Sequence, residues 1–444
     1  MAVKKKAILF LMLSLCFYSL FHFYQSGIIQ STRIMPQLKG DFIGMFPAYP
    51  WASKINPEFM KQNSSIINRS WGNFEELEHS DTEKHKFARK VWSYGPVGHF
   101  LTFPLIYLDS YQNALKIWFT CCFIFLGLAI YLWYKMLILD KGLHSFLVLT
   151  AFIFLWLNFF PLYEGIATGV VEILELFLLT LSFYLLSRRK ELASGITLGF
   201  AAMTKFLPFL FILYFIFKKR YKLAATSLIT VGLLALLTEF TLGWRGNYPL
   251  FSVLTLPGLD IRAWSGHQAI PNLISRLYSI NVGNVMAPEL IYPEAAKLTV
   301  KIIIYSIILF YGLIFIIKRK FGKTNYEIAI LSILMIAIIQ HNETYYLLFL
   351  LIPFSLGLQY LVMSFKRDGK VNKYDLLILC FSFILVGSPV PFTILNKLFS
   401  YFSKEFLLCY LGFSVPIWGY LILLAWFSVK YLTDRSVSED DRFL

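Results

Sequence analysis

Residues 188–222 read RRKELASGITLGFAAMTKFLPFLFILYFIFKKRYK, and this stretch decides the fold. An apolar run, 192–217, is closed by Arg188-Arg189-Lys190 on one side and Lys218-Lys219-Arg220 on the other. Basic residues flanking apolar runs collect on the cytoplasmic side of a membrane. Both ends of the run therefore belong on that side. Each crossing needs about 20 apolar residues, so the run cannot cross twice at full length. Two short helices meeting near Lys205 and Pro208, or a re-entrant hairpin, fit the length. Broken backbone at membrane depth is tolerated only where protein or a water-filled cavity surrounds it.

The same punctuation recurs along the chain. Basic clusters lie at 4–6, at Lys135 and Lys141, at 318–323, at 366–373 and in the tail from Lys430. Together with the two clusters above they hold more than half of the 41 Lys and Arg. Each cluster begins or ends an apolar run. The net charge of +15 is thus explained by membrane orientation, without a nucleic-acid partner. The chain is 57% hydrophobic, with a mean hydropathy of +0.63. Its apolar runs are continuous and do not alternate, which excludes a β-barrel. Residues 9–24 are bulky and aromatic with no small-residue cleavage site after them, so they read as a retained helix. The five cysteines, Cys16, Cys121, Cys122, Cys380 and Cys409, lie inside apolar segments and read as small core residues.

Placing every basic cluster in the cytoplasm predicts an all-α, polytopic membrane bundle of about 12 helices, some short or re-entrant. It forms a single integral membrane domain over 1–444. Helix 1 covers 7–25 and runs outward. The first extracytoplasmic loop, 26–113, is large. Helices follow at 114–134, 144–162 and 167–187, then the broken pair within 192–217, then 223–242. A second extracytoplasmic loop spans 243–297. The remaining helices cover 298–317, 325–340, 344–363, 375–392 and 404–429, and 431–444 is a cytoplasmic tail. Both termini are cytoplasmic, and the protein is multi-pass in the cell (inner or plasma) membrane. Within the first loop, 74–91 reads as an amphipathic surface helix. The apolar stretch 94–108 is too short to span and dips into the bilayer. The cytoplasmic connections fall well below the roughly 30 residues of a βαβ unit, which leaves no room for a nucleotide-binding domain.

The polar residues gather on the other side. Lys39 and Asp41 follow the first helix. Glu164, Glu172 and Glu175 start the helix expected at 167–187, and Lys205 sits in the broken pair. Arg245, Asp260, Arg262, His267, Gln268, Asn272 and Arg276 lie in the second loop. Gln340, His341, Asn342 and Glu343 join two later helices. Ionisable groups at membrane depth are costly and are functional candidates by default. Asp41, in Lys39-Gly40-Asp41-Phe42, is either a partly desolvated general base or a turn aspartate capping a helix from Phe42. Lys205 meets a lipid phosphate, snorkels, or pairs with Glu172 or Glu175. His341 holds a phosphate or assists a leaving group, or forms an ordinary polar turn. Arg262, His267 and Arg276 clamp a phosphate or belong to a solvated loop. HExxH, CxxC and P-loop patterns are absent from the sequence, and no metal site is expected.

Several of these segments resemble, in order, the GT-C superfamily of membrane glycosyltransferases. The closest likeness is to glycosyltransferase family 87, the polyprenyl-phosphate-mannose-dependent α-mannosyltransferases. Gly40-Asp41-Phe42 resembles the family's aspartate at the start of the first outside loop. Tyr94-Gly95-Pro96 with 100–105 resembles its aromatic-proline segment. The helix from Ala193 through Lys205 and Pro208 resembles its small-residue helix ending in Lys-x-x-Pro. The 268–277 segment, ending Ser275-Arg276-Leu277, and His341 before Tyr345-Tyr346 resemble its later motifs. There are two departures. Val171-Glu172 stands where the family often has Gly-Gln, and Val97 follows Pro96 where a second proline is commoner.

The resemblance implies transfer of a hexose, mannose by family likeness, from a polyprenyl-phosphate donor to a lipid or glycan acceptor on the extracytoplasmic face. Asp41 would be the general base in an inverting displacement. Lys205, His341, Arg276 and Arg262 would meet the donor phosphate. Lys39, Glu172, His267 and Gln268 would line the substrate. No cofactor is implied beyond the lipid-linked donor, and the partners are that donor, the acceptor and membrane lipids. Two other classes also work on lipid-linked glycans: a transporter or flippase, and an O-antigen ligase or polymerase. Buried charge and broken helices also mark transporters, but the lack of visible repeats and the large, tryptophan-rich outer loop argue against that class.

Overall fold

The computed structural model describes residues 2–25, 95–108, 111–137, 143–242, 267–280, 289–318, 324–339, 343–387 and 414–433. Lys39, Asp41, Arg262, His341 and the surface helix expected at 74–91 lie outside these residues. The described residues are overwhelmingly helical. Five helices are long and apolar enough to cross a membrane, and a sixth span results if the pair Val148–Leu157 and Phe160–Thr168 counts as one. The chain divides into two compact units, one of Gln25–Leu132 and Tyr163–Pro257, the other of Met1–Tyr24, Trp133–Leu162 and Gly258–Leu444.

In the first of these units the opening 188–222 stretch becomes a helical hairpin. In chain order its elements are α2 (Pro96–Thr102), a 3-10 turn (Phe103–Tyr107), and most of α3 (Tyr111–Leu137). There follow part of α5 (Phe160–Thr168), α6 (Glu172–Ser187), α7 (Glu191–Lys205), α8 (Phe209–Phe217) and α9 (Tyr221–Leu242). Arg189, at φ 60°, closes the turn between α6 and α7. The two helices run antiparallel and are stitched by reciprocal bonds. Ser182 Oγ donates to Ser194 O and Ser194 Oγ to Ser182 O, each at 2.9 Å. Buried hydroxyls at membrane depth need such partners. On its other face α7 presents Gly195 and Gly199, one turn apart, to α9. A Cβ on Gly199 would lie 2.6 Å from Thr230 Cβ, so the helices approach as closely as small residues allow. Then α7 stops at Lys205. Phe206 takes a left-handed conformation (φ 59°), and Pro208, which cannot donate to the helical ladder, precedes α8. The expectation of two short helices meeting near Lys205 and Pro208 matches what is seen.

The second unit holds α1 (Ala2–His22), α4 (Leu143–Leu157), α10 (Ile270–Leu277), β1 (Ser279–Ile280), β2 (Glu289–Leu290) and α11 (Pro293–Ile317). It also holds α12 (Thr324–Ala337), a 3-10 helix (Thr344–Leu350), α13 (Leu351–Asp368), α14 (Lys373–Gly387) and α15 (Val415–Thr433). Asn158 Nδ2 donates to Ser19 Oγ at 2.9 Å, and Trp156 Nε1 to Ser355 Oγ at 3.0 Å, so α1 and α13 are both pinned near the end of α4. Every residue of α12 from Tyr326 to Ala337 is buried. By contrast only 6% of the apolar window of α11 is buried, the exposure expected of a helix that meets lipid. Charge is buried where helices end. Asp375 accepts from Lys430 Nζ (2.7 Å) and Trp426 Nε1 (2.9 Å), and Glu327 accepts from Tyr431 Oη (2.6 Å).

Some expected boundaries move. The helix expected at 144–162 stops at Leu157 and resumes as α5, with Pro161 in its first turn. The helix expected at 167–187 begins only at Glu172, because Gly169 turns left-handed at φ 67°. Residues 344–350 form a 3-10 helix where a regular helix is expected. The β1–β2 ribbon, antiparallel with Ser279 opposite Leu290, carries no alternating signal long enough to anticipate it.

Candidate active site

The candidate residues that are described fall into one cluster in each unit. The first is built on the antiparallel pair α6 and α7. Glu172 starts α6 and Lys205 ends α7, so the antiparallel pairing puts them at the same level. Lys205 Nζ donates to Glu172 Oε1. The lysine side chain is 10% exposed and the glutamate wholly buried. Of the alternatives open for Lys205, pairing with Glu172 is the one realised. Glu175 lies three residues on, on the same face. It is fully buried, and neither of its carboxylate oxygens has a hydrogen-bond partner among the described residues. The Lys205–Glu172 pair and the Glu175 carboxyl group thus share one apolar bundle.

Two contacts that sequence reasoning missed brace this cluster. Gly95 N–H donates to Thr204 O at 2.8 Å, which seats the Gly95-Pro96 segment on the last turn of α7. A Cβ at position 95 would lie 2.1 Å from Met203 O, so only glycine fits. Trp118 Nε1, from α3, donates to Gly169 O at 2.8 Å and holds the turn that leads into α6. The Gly-Pro dipeptide was a visible signal for the first contact. Nothing local marks the second.

The second cluster gathers residues far apart in sequence. His267 pairs with Glu343 in an isolated antiparallel bridge, which sets the start of the 267–280 segment beside the end of the Gln340–Glu343 connection. Asn272 Nδ2 lies 3.4 Å from His267 Nδ1. Arg276, in the last turn of α10, donates from Nε (3.0 Å) and Nη2 (2.6 Å) to Ser414 Oγ, and from Nη1 to His267 O (2.9 Å). Tyr420 Oη donates to Gln268 O at 3.4 Å. His267, Gln268, Asn272 and Arg276 are all buried, so a solvated loop does not describe them. Burial pushes the Arg276 guanidinium down to about 10, with Tyr420 opposing, and it stays cationic at neutral pH. Ser414 and Tyr420 carried no sequence signal. Their link to Arg276 and Gln268 spans more than a hundred residues. No group of three or more His, Cys, Asp and Glu that could hold a metal occurs among the described residues.

Helices long and apolar enough to cross a membrane, with ionisable side chains buried among them, define a membrane protein. The family model for glycosyltransferase family 87 matches residues 92–340. That is more than half of the 444 residues, and the chain belongs to this family. It is accordingly a membrane glycosyltransferase of the GT-C type. No curated protein matches the sequence.

Proposed function

We propose that the protein transfers a hexose, with mannose as the sugar, from a polyprenyl-phosphate donor to a lipid or glycan acceptor on the extracytoplasmic face of the cell membrane. The observation that carries this is Arg276, a buried guanidinium held in a fixed plane by a serine hydroxyl and a backbone carbonyl. Arg is suited to planar recognition of phosphate. The segment that bears it follows an apolar helix and leads into another, so the phosphate it suits is one carried on a membrane lipid. The short cytoplasmic connections favour a lipid-linked donor over a nucleotide sugar.

In the proposed reaction Asp41 takes the proton of the acceptor hydroxyl as its oxygen attacks the anomeric carbon. The bond from that carbon to the phosphate oxygen breaks, and the configuration inverts. The polyprenyl phosphate departs with one more negative charge, which fixed cations stabilise. Arg276 is the first candidate for that role, and Lys205, His341 and Arg262 are the others. Lys39, Glu172, His267 and Gln268 are proposed to contact the sugar or acceptor. No cofactor takes part.

The donor class is tested by offering purified protein radiolabelled polyprenyl-phosphate mannose and, in parallel, a labelled nucleotide mannose, each with a membrane lipid extract as acceptor. Label should move only from the lipid donor. Consumption of the nucleotide sugar with the lipid donor untouched would overturn the donor assignment.

A further inference from the structure

The hydroxyl that holds Arg276 comes from position 414, far beyond the family-matched residues 92–340. Ser414 is wholly buried and immediately precedes α15. Its carbonyl accepts the N–H of Ile417 at 2.9 Å, so its backbone opens that helix. Its φ is 59°, a left-handed conformation that glycine adopts freely and a serine only at a cost of about 1 kcal/mol. A glycine would suit this backbone better. What glycine lacks is the hydroxyl, which takes two N–H bonds from one edge of the Arg276 guanidinium, at 3.0 and 2.6 Å. A second contact from α15 supports the same segment, through Tyr420 Oη and Gln268 O. The opposite end of α15 is itself tied down, since Trp426 and Lys430 both donate to Asp375.

We infer that Ser414 is a positioning residue for donor recognition, and that α15 is the strut that aims Arg276. The inference rests on Arg276 meeting the donor phosphate, as proposed. The guanidinium is planar, so fixing its Nε–Nη2 edge on Ser414 and its Nη1 on His267 O fixes the direction of all five N–H bonds. Without the hydroxyl the long side chain regains rotamer freedom, and the phosphate must pay to order it again.

The test uses the full-length protein in detergent and polyprenyl monophosphate as the probe, because every sugar donor of the proposed class carries that group. Wild type, Arg276→Ala, Ser414→Gly and Ser414→Ala are compared for probe affinity and for thermal unfolding. Ser414→Gly should weaken binding by about tenfold, the worth of one hydrogen bond to a charged group. Its melting temperature should lie above that of Ser414→Ala, because both lose the hydroxyl but only glycine relieves the left-handed backbone. Ser414→Ala should weaken binding equally while melting lower. A merely structural serine would give a different result: affinity tracking stability, with Ser414→Gly binding more tightly than Ser414→Ala. If Arg276→Ala weakens binding and Ser414→Gly does not, Ser414 has no positioning role. If Arg276→Ala binds the probe as wild type does, Arg276 is not a phosphate group, and the inference falls with that assignment.

Discussion

A lysine inside an apolar hairpin can keep its charge by reaching water, meeting a ligand or pairing with a carboxylate. Lys205 takes the third course, with Glu172. Which partner it takes depends on α6 and α7 lying antiparallel, and sequence alone left that open. Breaking a buried pair leaves an uncompensated charge and costs about 3 kcal/mol or more, whereas replacing both partners by apolar residues is far less costly. Lys205→Met and Glu172→Leu should therefore each lower the melting temperature in detergent, and the double variant should recover most of the loss. The recovered double variant should still lack transferase activity if Lys205 serves the donor phosphate. A stable double variant with wild-type turnover would leave Lys205 a purely structural cation. At this scale the sequence singled out Lys205, Glu172, His267, Gln268 and Arg276 as polar groups in an apolar chain. It could not name Ser414 or Trp118, whose importance lies in what a distant segment brings to them.

Among the elements, the broken hairpin was legible because basic clusters bounded a run too short to cross twice, and because Pro208 forbids a continuous helix. The interruption between α4 and α5 was not. Residues 144–168 are mostly apolar, and periodicity cannot show where such a run breaks. Likewise the seat of α2 on α7 is a contact between segments more than a hundred residues apart. Its requirement is steric and sharp. Gly95→Ala would set a methyl group against Met203 O, and the Gly95 N–H bond to Thr204 O would be lost as the segment shifts. The expected cost is about 2 kcal/mol, in the range of other overpacked sites. Because the shift occurs on the turn that bears Lys205, transfer should fall further than stability does. Thermal unfolding and turnover measured on one preparation check this. Full activity in Gly95→Ala would mean that the contact does not support the site.

Over the whole molecule, composition and charge distribution were enough to define a helical membrane protein. The order of short motifs was enough to point to its family, which the match over 92–340 bears out. The number of full crossings was not fixed in the same way. Several expected helices are short pieces, and short pieces look like spans when only apolar content is counted. The roles of the groups around the reaction rest on chemistry, with Asp41 at their head. The most direct measurement supplies purified protein with polyprenyl-phosphate mannose labelled in the sugar and a membrane lipid extract, and compares wild type with Asp41→Asn, which keeps the shape and removes the base. Wild type should form a labelled product, and Asp41→Asn should be slower by about a hundredfold or more, the usual contribution of a general base. Transfer by Asp41→Asn at the wild-type rate would contradict the assignment of Asp41.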